Sequence, residues 1–89
     1  MTYHSIEFTK KFEKQFVKLP EKSKQRFIVR LNIFKLSPFD PILSNHGLKG
    51  KYLGYRSIDI EGDLRALYTI KGDKIILFAF IGSHPQLYG

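Results

Sequence analysis

Six side chains in the second half of this sequence are of the kinds that move protons or hold anions. His46 sits in Asn45-His46-Gly47 and His84 in Gly82-Ser83-His84; Asp59, Asp63 and Arg65 stand between them, and Tyr88 follows. Cleaving an RNA phosphodiester with its own 2′-OH needs a base for the hydroxyl, an acid for the leaving 5′-oxygen and a cation for the charge that builds on phosphorus. Histidine serves as base or acid near neutral pH, and the arginine fork binds two phosphate oxygens at once. Both histidines fall in Gly-flanked loops at the ends of a sheet, where a scaffold tends to carry function. Spacing alone leaves a plainer reading open, and favours it: His46 caps its loop and His84 ends the sheet.

Other chemistries fit less well. Asp59, Glu61 and Asp63 have the composition of a metal cluster. Alternate residues in a strand and turn point different ways, however, and Gly and Asp are ordinary turn residues. The sequence has no Cys, so neither a disulfide nor a thiolate metal site is possible. No metal and no cofactor are expected. Ser83-His84 is not a nucleophile elbow. Gly47, Gly50 and Gly54 match neither a Rossmann fingerprint nor a P-loop. His4, in the first strand, has no evident partner and reads as a satisfied or solvated side chain. Phe8, Phe12 and Phe16 read as core.

The elements that must position these residues follow from periodicity. Tyr3 to Phe8 alternates weakly and reads as a strand. Thr9 is a helix N-cap, after which Phe12, Phe16 and Leu19 recur at helical spacing. Pro20 stops that helix. Glu21 to Leu36 is a second helix, with Phe27, Leu31 and Phe34 on one stripe and Ile28, Val29, Ile33 and Leu36 widening it. The short junction predicts an antiparallel helical hairpin. A loop follows, Ser37 to Gly50. Gly54–Ile60, Leu64–Lys71 and Lys74–Ile81 are three strands of a meander. They are joined by a three-residue turn, Glu61-Gly62-Asp63, and by a two-residue turn, Gly72-Asp73, of the type II′ pattern. The last strand is nearly all apolar, so it is expected to be central and at least partly covered on both faces. Ile58 and Ile60 face the helices. Asp59 therefore faces away, and Arg65 can share that hollow if the register allows.

Eighty-nine residues make one α+β domain, 1–89: a strand and a two-helix hairpin on a small antiparallel sheet. The net charge is +7, and residues 1–36 hold nine Lys and Arg against three acids. This basic helical part is the footprint of a polyanionic partner, or simply a well-solvated helix surface. No apolar run reads as a signal peptide or membrane span, so a cytoplasmic protein is expected.

The order of elements, with Asn45-His46-Gly47-Leu48-Lys49-Gly50, Gly54-Tyr55-Arg56, Gly62-Asp63-Leu64-Arg65-Ala66-Leu67-Tyr68, Ile81-Gly82-Ser83-His84 and Leu87-Tyr88, resembles the YafQ branch of the RelE/ParE toxin superfamily. The resemblance covers essentially the whole chain. It implies a toxin of a type II toxin–antitoxin pair, a metal-independent endoribonuclease that cuts mRNA on the ribosome and is silenced by an antitoxin that wraps it. Its partners would be that antitoxin, mRNA on the ribosome and ribosomal RNA. By the same resemblance His84 is the general acid, His46 and Asp59 or Asp63 lie on the base side, Arg65 holds the phosphate and Tyr88 contacts a base. Two positions depart from the family pattern. Asp59 stands where YafQ-like enzymes often carry histidine, and Phe80 where many members carry a second arginine. Two alternatives stand beside this reading: a gyrase-binding toxin of the ParE kind, against which the His46/His84 pair argues, and a degenerate toxin that only binds its antitoxin, which the missing last-strand arginine favours.

Overall fold

In the computed structural model, which describes residues 5–89, Thr9 joins the first strand to the first helix and both to the sheet. Its hydroxyl accepts from the Phe12 N–H at 3.0 Å, capping the helix, and donates to the Ala79 carbonyl at 2.8 Å. The chain runs β1 (Ser5–Phe8), α1 (Lys10–Val17), α2 (Glu21–Leu36), β2 (His46–Gly47), β3 (Arg56–Glu61), β4 (Leu64–Lys71), β5 (Ile75–Ser83) and α3 (His84–Tyr88). Single 3-10 turns occupy Pro41–Leu43 and Gly50–Tyr52. His4 lies outside the described residues.

The strands form one sheet in the order β1-β5-β4-β3-β2. The expected meander is present, since β3 pairs with β4 and β4 with β5, each antiparallel. The whole sheet is mixed, because β1 adds to β5 in parallel. A parallel neighbour requires a long crossover, and the chain between β1 and β5 supplies it. The apolar strand β5 therefore lies inside the sheet, with α1 against one face and α3 against the other.

The core lies between the helices and one sheet face. Phe27 of α2 meets Phe12 of α1 at 5.4 Å and Phe78 of β5 at 5.7 Å, and Phe34 meets Tyr68 at 5.0 Å. Ile58, Ile60, Ala66, Ile76 and Ile81 complete it, all sealed from water. The α2 stripe is narrower than its sequence suggests. Phe27, Leu31 and Phe34 are buried and Ile33 packs partly, but Ile28 is 49%, Val29 50% and Leu36 90% exposed. A helix on a sheet hides only the stripe it rests on, so these three point outward instead of widening the core.

Two bulges decide which way side chains point. Between Asp59 and Glu61 the pairing of β3 with β4 slips, and the Glu61 side chain turns toward α2. There it accepts from the Ser23 hydroxyl at 2.6 Å and lies 3.8 Å from Arg26. On β5 the pairing shifts between Phe78 and Phe80, which puts Phe78 and Ile81 on the helix side and Phe80 on the other.

The turns differ from their sequence reading. Glu61 pairs with Leu64, so the first turn has two residues, with positive φ at Gly62 (49°) and not at Asp63. Gly72 and Asp73 both have positive φ, 57° and 63°, which is the type I′ pattern and not II′. Asp tolerates that conformation better than most non-Gly residues.

Candidate active site

The sheet face turned away from α1 and α2 carries most of the candidate residues. Directly opposed residues on neighbouring strands share a face. Asp59, Arg65 and Gly82 form one such row, and His46, Ser57, Leu67 and Phe80 the next. The two rows are two residues apart along each strand, roughly 7 Å. The register that sequence left open therefore brings Asp59 and Arg65 together. The Arg65 Nε donates to the Asp59 carboxylate at 2.9 Å, and its Nη1 to the Gly62 carbonyl at 2.8 Å. Both side chains are about one-third exposed or less, so a charged pair is available to solvent while held in one geometry. Asp59 acts here as the counter-ion that aims the arginine.

Gly82 is where the chain folds back over this face. A Cβ there would stand 3.1 Å from the Gln86 side chain and 3.5 Å from that of Leu87, so a larger residue would have to push the Gln86 side chain aside for α3 to lie so close. No helix is expected after the last strand, yet α3 follows it directly. The signal was present in Ser83 and Gln86, which form a reciprocal capping box: the Gln86 N–H donates to the Ser83 hydroxyl, and the Ser83 N–H to the Gln86 side chain. The first and last residues of this short helix are His84 and Tyr88, whose rings lie 4.7 Å apart. The His84 N–H donates to the Asp63 carbonyl at 3.1 Å. Asp63 thus meets His84 through its backbone, while its own side of the turn stays exposed.

Tyr88 connects this helix to the arginine. Partial burial raises its phenol above the ordinary value of 10.0, the neighbouring Tyr52 phenol adds to the rise, and Arg65 opposes it. Tyr88 is therefore a neutral hydrogen-bond donor at physiological pH. Tyr52, in the turn at Gly50–Tyr52, pins the helix from below. Its hydroxyl donates to the Leu87 carbonyl at 2.7 Å, and its ring meets Tyr88 at 5.3 Å.

His46 enters from the edge strand. Its Nδ1 lies 2.8 Å from the Ser44 carbonyl, which can only accept, so Nδ1 carries the proton. When the ring is neutral, Nε2 holds the free lone pair that a general base uses. The strand bearing His46 is held by groups that sequence placed without a role. The Arg56 Nε donates to the Asn45 side-chain oxygen at 2.8 Å; the Asn45 amide donates to the Tyr68 hydroxyl at 2.8 Å and the Pro38 carbonyl at 2.9 Å. Asn45 uses both ends of its amide, which fixes the loop against β3 and β4.

The three acids of the apparent cluster diverge: Asp59 goes to Arg65, Glu61 to Ser23, and Asp63 to solvent. Among the described residues, no group of three His, Asp or Glu side chains is placed to share a metal ion. Among the same residues, no helix is long and apolar enough to cross a membrane.

Comparison with known proteins adds to this geometry. A family described as "Bacterial toxin of type II toxin-antitoxin system, YafQ" matches residues 4–89. No curated protein matches the chain. Among solved structures, the toxin–antitoxin complex of DinJ and YafQ from E. coli superposes with a TM-score of 0.73 at 28% identity, covering 100% of both chains. A conserved hypothetical protein from Helicobacter pylori gives 0.71 at 27% identity, covering 99% of this chain and 100% of that one. The RelE–RelB complex from Pyrococcus horikoshii gives 0.70 at 24% identity, covering 93% and 96%, and speaks for the fold alone.

Proposed function

Since the chain belongs to the YafQ family of type II toxin–antitoxin toxins, we propose that it is an endoribonuclease that cuts mRNA in the decoding site of the ribosome and so stops translation in the cytoplasm. One observation carries the reading. The sheet face left free by the helices holds an arginine aimed by its own carboxylate, and α3 folds His84 and Tyr88 back over that face.

The roles follow from position. The Nε2 of His46 takes the proton of the 2′-OH. The oxygen attacks phosphorus, forming a 2′,3′-cyclic phosphate. The Arg65 fork meets the non-bridging oxygens as charge builds on them, in place of part of its contact with Asp59. His84, protonated, donates to the departing 5′-oxygen. Asp63 keeps His84 in place through its backbone carbonyl, and Tyr88 lies against the base beside the cut. Proton abstraction, proton donation and charge neutralisation are all supplied by side chains, so the scheme needs no metal.

The basic surface of residues 1–36 contacts ribosomal RNA phosphates, an interaction that weakens as salt rises. The E. coli relative is seen bound to the antitoxin DinJ. We place a cognate antitoxin among this chain's partners as well.

A second reading draws on Phe80 and Asp59. No cation stands at Phe80 on β5, and Arg65 is held by an internal carboxylate. Both features favour a degenerate toxin that only binds its antitoxin.

Translation-coupled cleavage of a defined mRNA, with and without ribosomes, separates the two. Ribosome-dependent cuts that vanish with His84→Gln support the nuclease. Intact mRNA from a folded protein that still binds its antitoxin supports the degenerate reading. Cutting by His84→Gln at the wild-type rate removes His84 from the mechanism.

A further inference from the structure

Next to the acid/base row, the same face carries aromatic rings that the scheme above leaves without work. Phe80 lies in the neighbouring row, roughly 7 Å from Arg65 along the strands. Tyr55 precedes β3 by one residue and falls on the same face as Ser57 and Asp59. Its ring lies 5.9 Å from Phe80. Tyr52 stands between these two and Tyr88, with centroids at 6.4 Å to Tyr55, 5.5 Å to Phe80 and 5.3 Å to Tyr88. None of the four rings is buried.

Three features distinguish this patch from ordinary packing. It adjoins the arginine, since Phe80 occupies the row next to that of Arg65 and Gly82, and Tyr52, which packs on Phe80, also meets Tyr88. It is rigid, because the Tyr52 hydroxyl is tied to the Leu87 carbonyl, so little side-chain freedom remains to be lost on binding. A positive charge lies against it: the Lys51 ammonium is 5.2 Å from the centre of the Tyr52 ring. A braced, partly exposed aromatic surface beside a cation is what a single-stranded nucleic acid meets in a stacking site.

We propose that Tyr55 and Phe80, braced by Tyr52, form a second base-stacking subsite that takes the nucleotide on the side of the scissile phosphate away from Tyr88. The proposal rests on the ribonuclease reading for its substrate class. It goes further in giving the enzyme a two-base grip and a preference for a purine at this subsite, because a purine offers more ring to stack on. Stacking is tolerant of base identity, so the preference is modest.

The test uses the intact protein and two non-cleavable probes, a 2′-O-methyl adenosine hexamer and the matching uridine hexamer. Binding is read by NMR shifts of the aromatic side chains at one fixed salt concentration, since affinity without stated salt means little. The wild type is expected to bind the adenosine probe more tightly, with shifts at Tyr55 and Phe80. Phe80→Leu, which keeps apolar volume but removes the π face, is expected to weaken adenosine binding about tenfold and to erase the difference between probes. Tyr55→Leu does the same and guards against one variant failing to fold, which thermal melting checks.

Equal binding of the two probes by the wild type, or undiminished adenosine binding by a well-folded Phe80→Leu and Tyr55→Leu, overturns the subsite. These outcomes are separable from the nuclease question. Cleavage lost in His84→Gln with no stacking preference keeps the nuclease and removes the subsite. Stacking without any wild-type cleavage keeps the subsite and removes the nuclease.

Discussion

On one side of the sheet Ile58, Ile60, Ala66, Phe78 and Ile81 are sealed from water beneath α1 and α2; on the other, His46, Asp59, Arg65, His84 and Tyr88 all keep solvent contact. Strands β3 and β4 supply both sides, with alternate residues going to each, while His46 comes from β2 and His84 and Tyr88 from α3. The helix side is held by apolar area and ring contacts, which tolerate no unpaired charge. The other side is held by a few directed polar contacts: Arg65 to Asp59, the His84 N–H to the Asp63 carbonyl, and the Tyr52 hydroxyl to the Leu87 carbonyl. The difference teaches that stability and chemistry are separable here. A side chain can be changed on the open face without touching the core, provided the hydrogen bonds that aim its neighbours survive.

That separation can be broken or sharpened by substitution. The largest effect is expected from Phe78→Ala on the closed face. It removes a fully buried ring that touches Phe12, Phe27, Phe34 and Tyr68, and is expected to cost about 3–5 kcal/mol, seen as a collapse of the thermal midpoint. His84→Gln is its counterpart on the open face. Cleavage should fall by about 10²–10⁴-fold while the midpoint barely moves, because the ring is exposed. Equal losses of stability in the two variants would end the comparison.

Asn45→Ala sits across the divide. It removes three hydrogen bonds at once, from the Arg56 Nε and to the Tyr68 hydroxyl and the Pro38 carbonyl, and is expected to cost about 1–3 kcal/mol in denaturant unfolding and to slow cleavage by loosening the strand of His46. Ser83→Ala removes the cap of α3 and is expected to cost about 1 kcal/mol, with a rise in KM larger than any fall in stability would explain.

The smallest effect is in the pH dependence of Tyr88. Its phenol is raised, so the folded protein holds that proton more tightly than the unfolded chain. The resulting stabilisation is fully present below pH 10.0 and is lost as the pH climbs through the higher folded value. Ultraviolet titration of the wild type against Tyr88→Phe should show one late-ionising tyrosine missing from the variant.

Much of this was legible beforehand. Thr9 as cap, Phe12, Phe27 and Phe34 as core, the meander, and Asp59 pointing away from the helices all follow from local chemistry and from strand alternation, which need no knowledge of what lies across the sheet. The exposed Ile28, Val29 and Leu36 were misread for the same reason. Their spacing fits a helix stripe, but how much of a stripe is covered depends on the surface beneath it.

What the sequence by itself determined, then, was the kinds of element and the set of candidate reactive groups, because caps, turns and periodicity are set by neighbours along the chain. Only the tertiary structure decided which groups meet. It set the register that pairs Asp59 with Arg65, the bulges that send Glu61 to one face and Phe80 to the other, and the return of α3 over Gly82. The register and the bulges depend on how whole strands pair across the sheet, not on any one residue's propensity, and a slip of one residue in pairing would have reversed every side chain on the strand.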